Sequence, residues 1–440
     1  AVEDMPNWSC NRILSTRREK TFMMYLNENQ DVGEQLLEGQ EKQSNRKNVN
    51  LRSCSNEKDI ENTTNKKAKT FNSTFDIYVG SNEGSCDMLD FTELDESYLA
   101  MNPEKMWKLK TGRKVEDIIY QHAKTLHKES CLHSFIINDV DKDAKVIFSD
   151  EEWEEIFSTN VQKKPKPFIQ NEEEFNRELH YDLDYINYAY RGMLFLWEAE
   201  NNFTSDQSKL EGWFQSDVWS RIIDPAFHNT TFELRGESMS FASSDRKNDG
   251  RTAFDRKKIG KKGDGIFRIT ADRMELGAIE SGRECEGLYG TKYLKDSLKL
   301  NKMLKDMITN LISECSFNTS RQLQVIGILN GGNRLQMIEM NTPKGYISRV
   351  KRGKIYEVTG RLMKSQPLAF VIKEILRAKA TIVRTLNLLN NDKLNYLLDD
   401  DTDDDECNNT KNSSEKSRSS TPPLTLPKTF STPHKDKLKK

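Results

Sequence analysis

Apolar residues recur at helical spacing through the N-terminal half of the chain. From Leu89 to Asn201, apolar side chains fall three and four positions apart, as they do on the buried face of a helix. This spacing predicts a small helical region, connected by the stiff Lys-Pro-Lys-Pro segment at residues 164–167. A further helix is predicted from about Ser208 to Phe227.

From residue 231 onward, short apolar runs bounded by turn residues replace the helical spacing, which is typical of β-strands. Two amphipathic stretches, Tyr293–Cys315 and Leu362–Leu398, predict helices, and the second is expected to break near Asn390 and Asn391. The order of helix, three strands, helix and strands predicts an α/β (α+β) fold with a mixed sheet flanked by helices. The predicted strands are residues 231–234, 263–269, 274–282, 322–329, 335–340 and 346–350.

Composition changes the picture at both ends of the chain. The 440 residues are only 35% apolar, and residues 27–73 and 399–440 are dominated by polar side chains that cannot form a core. Thr421-Pro422 and Thr432-Pro433 in the tail are candidate phosphorylation sites. We expect four segments: a mostly disordered 1–88, a helical region 89–201, an α/β core with a C-terminal helix 202–398, and a disordered tail 399–440.

Hydropathy, cysteine usage and charge narrow the class of protein. No apolar run approaches the roughly 20 residues needed to cross a bilayer, so no membrane partner is expected. The seven cysteines are scattered without a CxxC pair, which indicates a reduced, intracellular setting. Because the net charge is only −2, any attraction to nucleic acid must come from local patches.

Carboxylates interrupt the strongest predicted hairpin, residues 263–282. Asp264 opens its first strand, and Glu275 and Glu280 lie in its second. Acids in apolar strands cost free energy unless they are paired, hydrogen-bonded or bound to a cation. Strand alternation places the two glutamates on opposite faces, so only one of them can join Asp264 in an oxygen site for Mg²⁺ or Mn²⁺.

The order of elements from Ser208 to Asn341, together with these acids, resembles the core of the PD-(D/E)XK nuclease-like superfamily. That superfamily carries an Asp on its second strand and a Glu-x-Lys on its third. The resemblance implies a restriction-endonuclease-like core in which Asp264 and Glu280 bind the metal, with Glu211 or Glu233 as a further acid. It also implies a metal-dependent nuclease, or a nuclease-derived protein, that acts on the phosphodiester backbone of DNA or RNA.

One part of the superfamily pattern is missing. Ser281 and Gly282 follow Glu280, where the resemblance predicts a Lys two residues further on. We expect Arg283, or Arg268 on the strand of Asp264, to stabilise transition-state charge in its place, although Arg does not readily give up a proton.

A non-catalytic interpretation explains the same residues. Asp264, between two glycines, is then an ordinary turn residue, and the two glutamates form ion pairs with nearby arginines such as Arg273. The protein would then be a protein–protein interaction protein with a degenerate nuclease-like fold, and its helical region would supply the docking surface.

Basic residues crowd the segment before the hairpin. Residues 246–268 hold nine Lys and Arg against three Asp. A second basic cluster surrounds Arg349 and Arg352, and it is expected to extend the patch. The run is also typical of an import signal, which favours a nuclear over a cytoplasmic location. The residues predicted to contact phosphates are Arg256, Lys257, Lys258, Lys261 and Lys262.

Two weaker patterns complete the sequence. His122, His127, Cys131 and His133 lie close together, as zinc ligands do, but their spacing matches no known zinc site. In its Asn-rich composition and long polar tails, the chain is also similar to mobile-element-associated proteins.

Overall fold

A mixed seven-stranded β-sheet flanked by helices forms the centre of the described part of the chain, which therefore has an α/β fold. The computed structural model describes residues 89–162, 180–199, 204, 206, 208–270, 272–284, 287, 290–400 and 424–431. The predicted N-terminal segment 1–88 and both Thr-Pro pairs lie outside these residues. The strands are β1 (Ile136–Asn138), β2 (Phe232–Gly236), β3 (Gly265–Ile269), β4 (Glu275–Gly282), β5 (Gln324–Gly331), β6 (Arg334–Asn341) and β7 (Ser348–Glu357).

The strands lie in the order β1-β7-β6-β5-β4-β3-β2 across the sheet. Neighbours are antiparallel except for two parallel pairs, β1 with β7 and β4 with β5. Every residue of β4 is buried, which explains why this strand is mostly apolar without a polar face. The chain therefore places the predicted acidic hairpin in the interior of the sheet rather than at its edge.

Helix α8 (Thr291–Ser313) provides the crossover between the parallel strands β4 and β5. Its Leu300 and Leu304 approach Gly327 on β5 so closely that a Cβ at this glycine would lie 2.9 Å from the Cδ1 of Leu304. The helices are α1 (Thr92–Leu99), α2 (Val115–Ala123), α3 (Lys142–Val146), α4 (Asp150–Ser158), α5 (Tyr181–Glu198), α6 (Glu211–Trp213, continued by the π-helix Phe214–Trp219 and by Ser220–Ile222), α7 (Phe241–Asn248), α8 (Thr291–Ser313), α9 (Phe317–Ser320) and α10 (Gln366–Asp400). None of them is long and apolar enough to cross a membrane.

Three elements differ from their sequence predictions, one of them the largely polar helix α7, which apolar spacing did not predict. Helix α10 continues through Asn390 and Asn391, so the predicted break is wrong; Leu386 and Leu389 keep this part of the helix packed on the core. Strand β1 lies inside the predicted helical region and pairs with the start of β7. Three residues are too few to show an alternating pattern, so only its pairing reveals it.

A short C-terminal segment, residues 424–431, packs on the α/β body, although it falls in the predicted disordered tail. Leu424, Leu426 and Phe430 are buried. The Oγ1 of Thr429 donates a hydrogen bond to Asp306 (2.6 Å), and the Phe430 amide donates to Ser134 (3.0 Å). Three apolar side chains spaced along a Pro-containing stretch are enough to anchor it because α8 and the Cys131–Ser134 turn offer partners.

Candidate functional site

The acidic hairpin forms as the sequence predicts, with β3 antiparallel to β4. Asp264 immediately precedes β3, and its amide donates to the carbonyl of Ile279 (3.0 Å). One oxygen of its carboxylate accepts a hydrogen bond from the amide of Ser281 (2.7 Å). These two contacts hold the Asp264 carboxylate beside the end of β4, next to Glu280.

Glu280 is nearly inaccessible to solvent, with 2% of its surface exposed. Its Oε2 accepts a hydrogen bond from Lys299 Nζ (2.7 Å), while its buried Oε1 has no hydrogen-bond partner among the described residues. Burial raises the pKa of Glu280 to about 7; Asp264 and Asp296 act in the same direction, and Lys299 opposes them. Glu280 is therefore a carboxylate that would gain from a nearby cation.

Two further acids belong to the same cluster. Burial raises the pKa of Glu211, at the start of α6, and the charges of Asp264 and Asp296 add to the effect. Burial likewise raises the pKa of Asp296 on α8, whose Oδ2 lies 3.0 Å from the Nζ of Lys292. The charges of Asp264 and Asp296 thus act on both Glu211 and Glu280, which links the three predicted acids and adds Asp296 to them.

A small cleft opens beside Glu280, and its volume is about 30 Å³. That volume holds one or two water molecules and excludes a nucleobase. The side chains of Lys292, Tyr293 and Asp296 line it from α8. No group of three or more His, Cys, Asp or Glu side chains in the described ranges is arranged to hold a metal ion on its own.

Sequence reasoning missed Lys299, whose ammonium group lies beside Glu280. It lies nineteen residues after Glu280 and reaches it from α8. A local signal existed: Lys292, Asp296 and Lys299 recur at intervals of four and three, which puts all three on one face of that helix.

Glu275, the other predicted partner of Asp264, has a structural role. It is 2% exposed, and its carboxylate accepts hydrogen bonds from the amides of Phe241 (2.8 Å) and Ala242 (3.1 Å) in the first turn of α7. Arg268 donates to the same carboxylate (2.7 Å). A register shift between Phe267 and Arg268 breaks the strict alternation along β3, so Arg268 serves Glu275 and does not replace the missing Lys.

The remaining predicted acids and arginines lie farther from Glu280 along the fold. Arg283 follows β4 with half of its side chain exposed, and its Nε lies 3.7 Å from Glu284. Glu233 lies within β2, opposite Arg268 and two strands away from β4. Between the two predicted further acids, Glu211 is the one in electrostatic range of Asp264.

The predicted basic segment lines a surface basin of about 910 Å³. Asn248, at the end of α7, shapes the loop: its Oδ1 accepts from the Lys258 amide and its Nδ2 donates to the Lys258 carbonyl, both at 2.7 Å. Burial, reinforced by Lys302, lowers the pKa of Lys261 to about 8. Lys262 pairs instead with Glu237 (2.6 Å). The basic residues that line the basin are Arg246, Lys247, Arg256, Lys257, Lys258, Lys261 and Lys428.

Arg349, from the second predicted basic cluster, and His133, from the suggested zinc ligands, make structural contacts. Arg349 is 1% exposed, and its guanidinium donates to the carbonyls of Ile156 (2.7 Å) and Thr159 (2.6 Å), so it cannot extend a nucleic-acid surface. The suggested zinc ligands do not converge within the described residues. The ring of His133 lies against Phe430 instead, with centroids 5.1 Å apart.

Comparisons of the chain with protein-family models, with curated proteins and with solved structures find no significant match. The function therefore has to be inferred from the site.

Proposed function

We propose that this protein is a divalent-metal-dependent nuclease, built on a restriction-endonuclease-like core, that cleaves phosphodiester bonds in DNA or RNA. The observation that carries the proposal is the buried Glu280, paired with Lys299 at 2.7 Å and in electrostatic range of Asp264. Two neighbouring acids can hold a metal ion that polarises a phosphodiester, and a lysine beside them can stabilise the charge that develops on the phosphate.

The donor set fits Mg²⁺ or Mn²⁺. Mg²⁺ keeps several of its waters and is commonly held by one or two carboxylates together with substrate phosphates, so it does not need three protein ligands. Asp264 and Glu280 would be those carboxylates, and the unpartnered Oε1 of Glu280 would gain a partner. Glu211 and Asp296 would add negative charge around the ion. When bound, the ion would polarise the phosphate and lower the pKa of the attacking water.

Lys299 and Lys292 prepare the same site for a negatively charged substrate. Lys299 orients Glu280 through its hydrogen bond, and Lys292 does the same for Asp296. Both ammonium groups would attract a phosphate to this site, and preorganised charges of this kind stabilise the transition state.

Helix α8 links the acidic cluster to the basic basin. It rises about 1.5 Å per residue, so about 10 Å separate Lys299 from Asp306. Asp306 pairs with Arg246 (2.8 Å), and Arg246 lines the basin. The basic segment also fits a nuclear import signal, and nuclear action is part of the proposal.

The test combines cleavage with metal binding. Wild type is expected to cut plasmid or oligonucleotide substrates in Mg²⁺ or Mn²⁺ and to bind Mn²⁺ in calorimetric titrations. Asp264→Asn and Glu280→Gln should each lower the cleavage rate by at least about 100-fold and weaken Mn²⁺ binding. Asp272→Asn, which removes an exposed acid from the same hairpin, is the matched control and should leave both unchanged. A wild type that neither binds Mn²⁺ nor cuts would rule out the catalytic proposal.

A protein–protein interaction role is the second candidate, favoured by the surface of α5. Tyr188 and Phe195 lie seven residues apart, on the same side of the helix, with 53% and 71% of their surfaces exposed. Paired apolar side chains of this kind are common in docking surfaces. The test is a double variant, Tyr188→Ser with Phe195→Ser. If it abolishes a cellular function of the protein that Glu280→Gln leaves intact, the protein–protein interaction role replaces the nuclease proposal.

A further inference from the structure

A fully exposed phenylalanine lies in the loop that borders the basic basin. Phe254 has 99% of its surface exposed, the largest fraction among the exposed large apolar residues of the described part of the chain. Phenylalanine is usually buried, and exposing a whole ring to water is unfavourable by the free energy that burial would release. This position therefore calls for a partner that would cover the ring.

The loop around Phe254 is held by hydrogen bonds. The amide and hydroxyl of Thr252 donate to the carboxylate of Asp255 (3.0 and 2.8 Å), and Arg251 donates to the Asp255 carbonyl (2.5 Å). Lys247 Nζ donates to the Ile259 carbonyl (2.8 Å) and anchors the far end of the loop to α7. The ring is thus presented on a turn whose shape is already set.

The surroundings of Phe254 indicate the charge of its partner. Arg256 follows two residues later and lines the basin together with Lys257 and Lys258. Two residues of chain span at most about 7 Å, so Phe254 lies within that distance along the backbone of a residue that lines the basin. Asp255 is held by Thr252, and Asp249 is paired with Lys428 at 2.5 Å. Glu93, which also lines the basin with Glu96, accepts a hydrogen bond from the Ser431 amide. Seven Lys and Arg side chains against three acids give the basin an excess of positive charge beside Phe254.

We propose that Phe254 is a stacking platform for an unpaired base of single-stranded nucleic acid, whose phosphates lie in the basic basin. A cationic groove with an aromatic ring beside it is the combination that holds single strands, and one stacked base contributes about 1–3 kcal/mol. The inference rests on the proposed function and adds to it the class of substrate: a strand with unpaired bases next to the site of cleavage.

The experiment measures binding without metal, so that it is independent of cleavage. Fluorescence anisotropy in EDTA compares labelled oligothymidine, the same strand with abasic sites, and a duplex of equal length. We expect Phe254→Ala to weaken binding of oligothymidine by about tenfold or more, Phe254→Trp to retain it, and Val146→Ala, at an exposed apolar residue on α3, to have no effect.

Each outcome decides the inference. On the abasic strand, wild type and Phe254→Ala should bind alike, because the stacked base is gone. Equal binding of oligothymidine by wild type and Phe254→Ala would overturn the inference. So would a Phe254→Ala variant that loses as much affinity for the duplex as for oligothymidine, because the ring would then act as a wedge between paired bases. If neither wild type nor any variant cleaves nucleic acid, but Phe254 still strengthens binding of oligothymidine, only the nuclease proposal is overturned.

Discussion

Lys299 Nζ lies 2.7 Å from the Oε2 of Glu280, although the two residues belong to consecutive elements, α8 and β4, that are separated by a loop. The lysine thereby places an ammonium group beside this buried carboxylate. Because α8 covers β4 and β5 as a crossover helix, its inner face is the natural source of such a group.

Replacing Lys299 tests this relationship. Lys299→Met should lower the cleavage rate by about 100-fold, because one preorganised cationic donor is lost. It should also move the acidic limb of the pH–rate profile to higher pH: Lys299 lowers the pKa of Glu280, which is about 7 with the lysine present, and its loss lets that pKa rise. Lys299→Arg should return the acidic limb of the pH–rate profile to its wild-type position. Lys295→Met, on the exposed side of α8, should change neither rate nor profile.

Glu275→Gln should affect stability rather than chemistry. Glu275 is a buried ion-pair partner of Arg268 and accepts hydrogen bonds from the first turn of α7, so the change should lower the free energy of unfolding by about 3 kcal/mol. Urea denaturation measures the loss. Glu284→Gln, at an exposed acid, should change stability by less than about 0.5 kcal/mol. A large loss of rate in fully folded Glu275→Gln would mean that this residue serves catalysis after all.

Lys305 should make stability depend on alkaline pH. Burial lowers the pKa of Lys305 to about 7, from 10.5 in the unfolded chain. Between these values the unfolded chain holds more protons than the folded one, so the free energy of unfolding should rise as pH rises from 7 toward 10. Denaturation midpoints at pH 7, 8 and 9 measure this slope. Lys305→Met should reduce this slope to what Lys261, whose pKa is likewise lowered, still contributes, whereas Lys295→Met should keep the wild-type slope.

Gly277 should be irreplaceable in β4. A Cβ there would lie 2.2 Å from the carbonyl oxygen of Ile326 on the neighbouring strand, so Gly277→Ala should lower the free energy of unfolding by about 3 kcal/mol. Gly212 in α6 is the matched control, since a Cβ there meets nothing within 4 Å. Gly212→Ala should stabilise the protein by about 0.5–1 kcal/mol. Thermal unfolding of both variants measures these changes in stability. A Gly277→Ala variant as stable as wild type would contradict the close packing of β4 on β5.

Local periodicity predicted the elements that carry the site. The short apolar runs of β3 and β4 and the amphipathic repeat of α8 are patterns that are visible within ten to twenty residues. Strand β1 and helix α7 escaped prediction because one is too short and the other is largely polar. The docking of Phe430 depends on surfaces more than 290 residues away, at Ser134.

By itself, the sequence determined that Asp264 and Glu280 occupy one hairpin, because turn length and alternation set the register of two adjacent strands. It also determined that a basic segment precedes them. Only the tertiary structure decided that Glu280 and not Glu275 joins Asp264, since a register shift in β3 aims Arg268 at Glu275. It likewise decided that Lys299 completes the cluster. Contacts between elements depend on how buried faces pack across a sheet, and the spacing of residues within a single segment does not determine that packing.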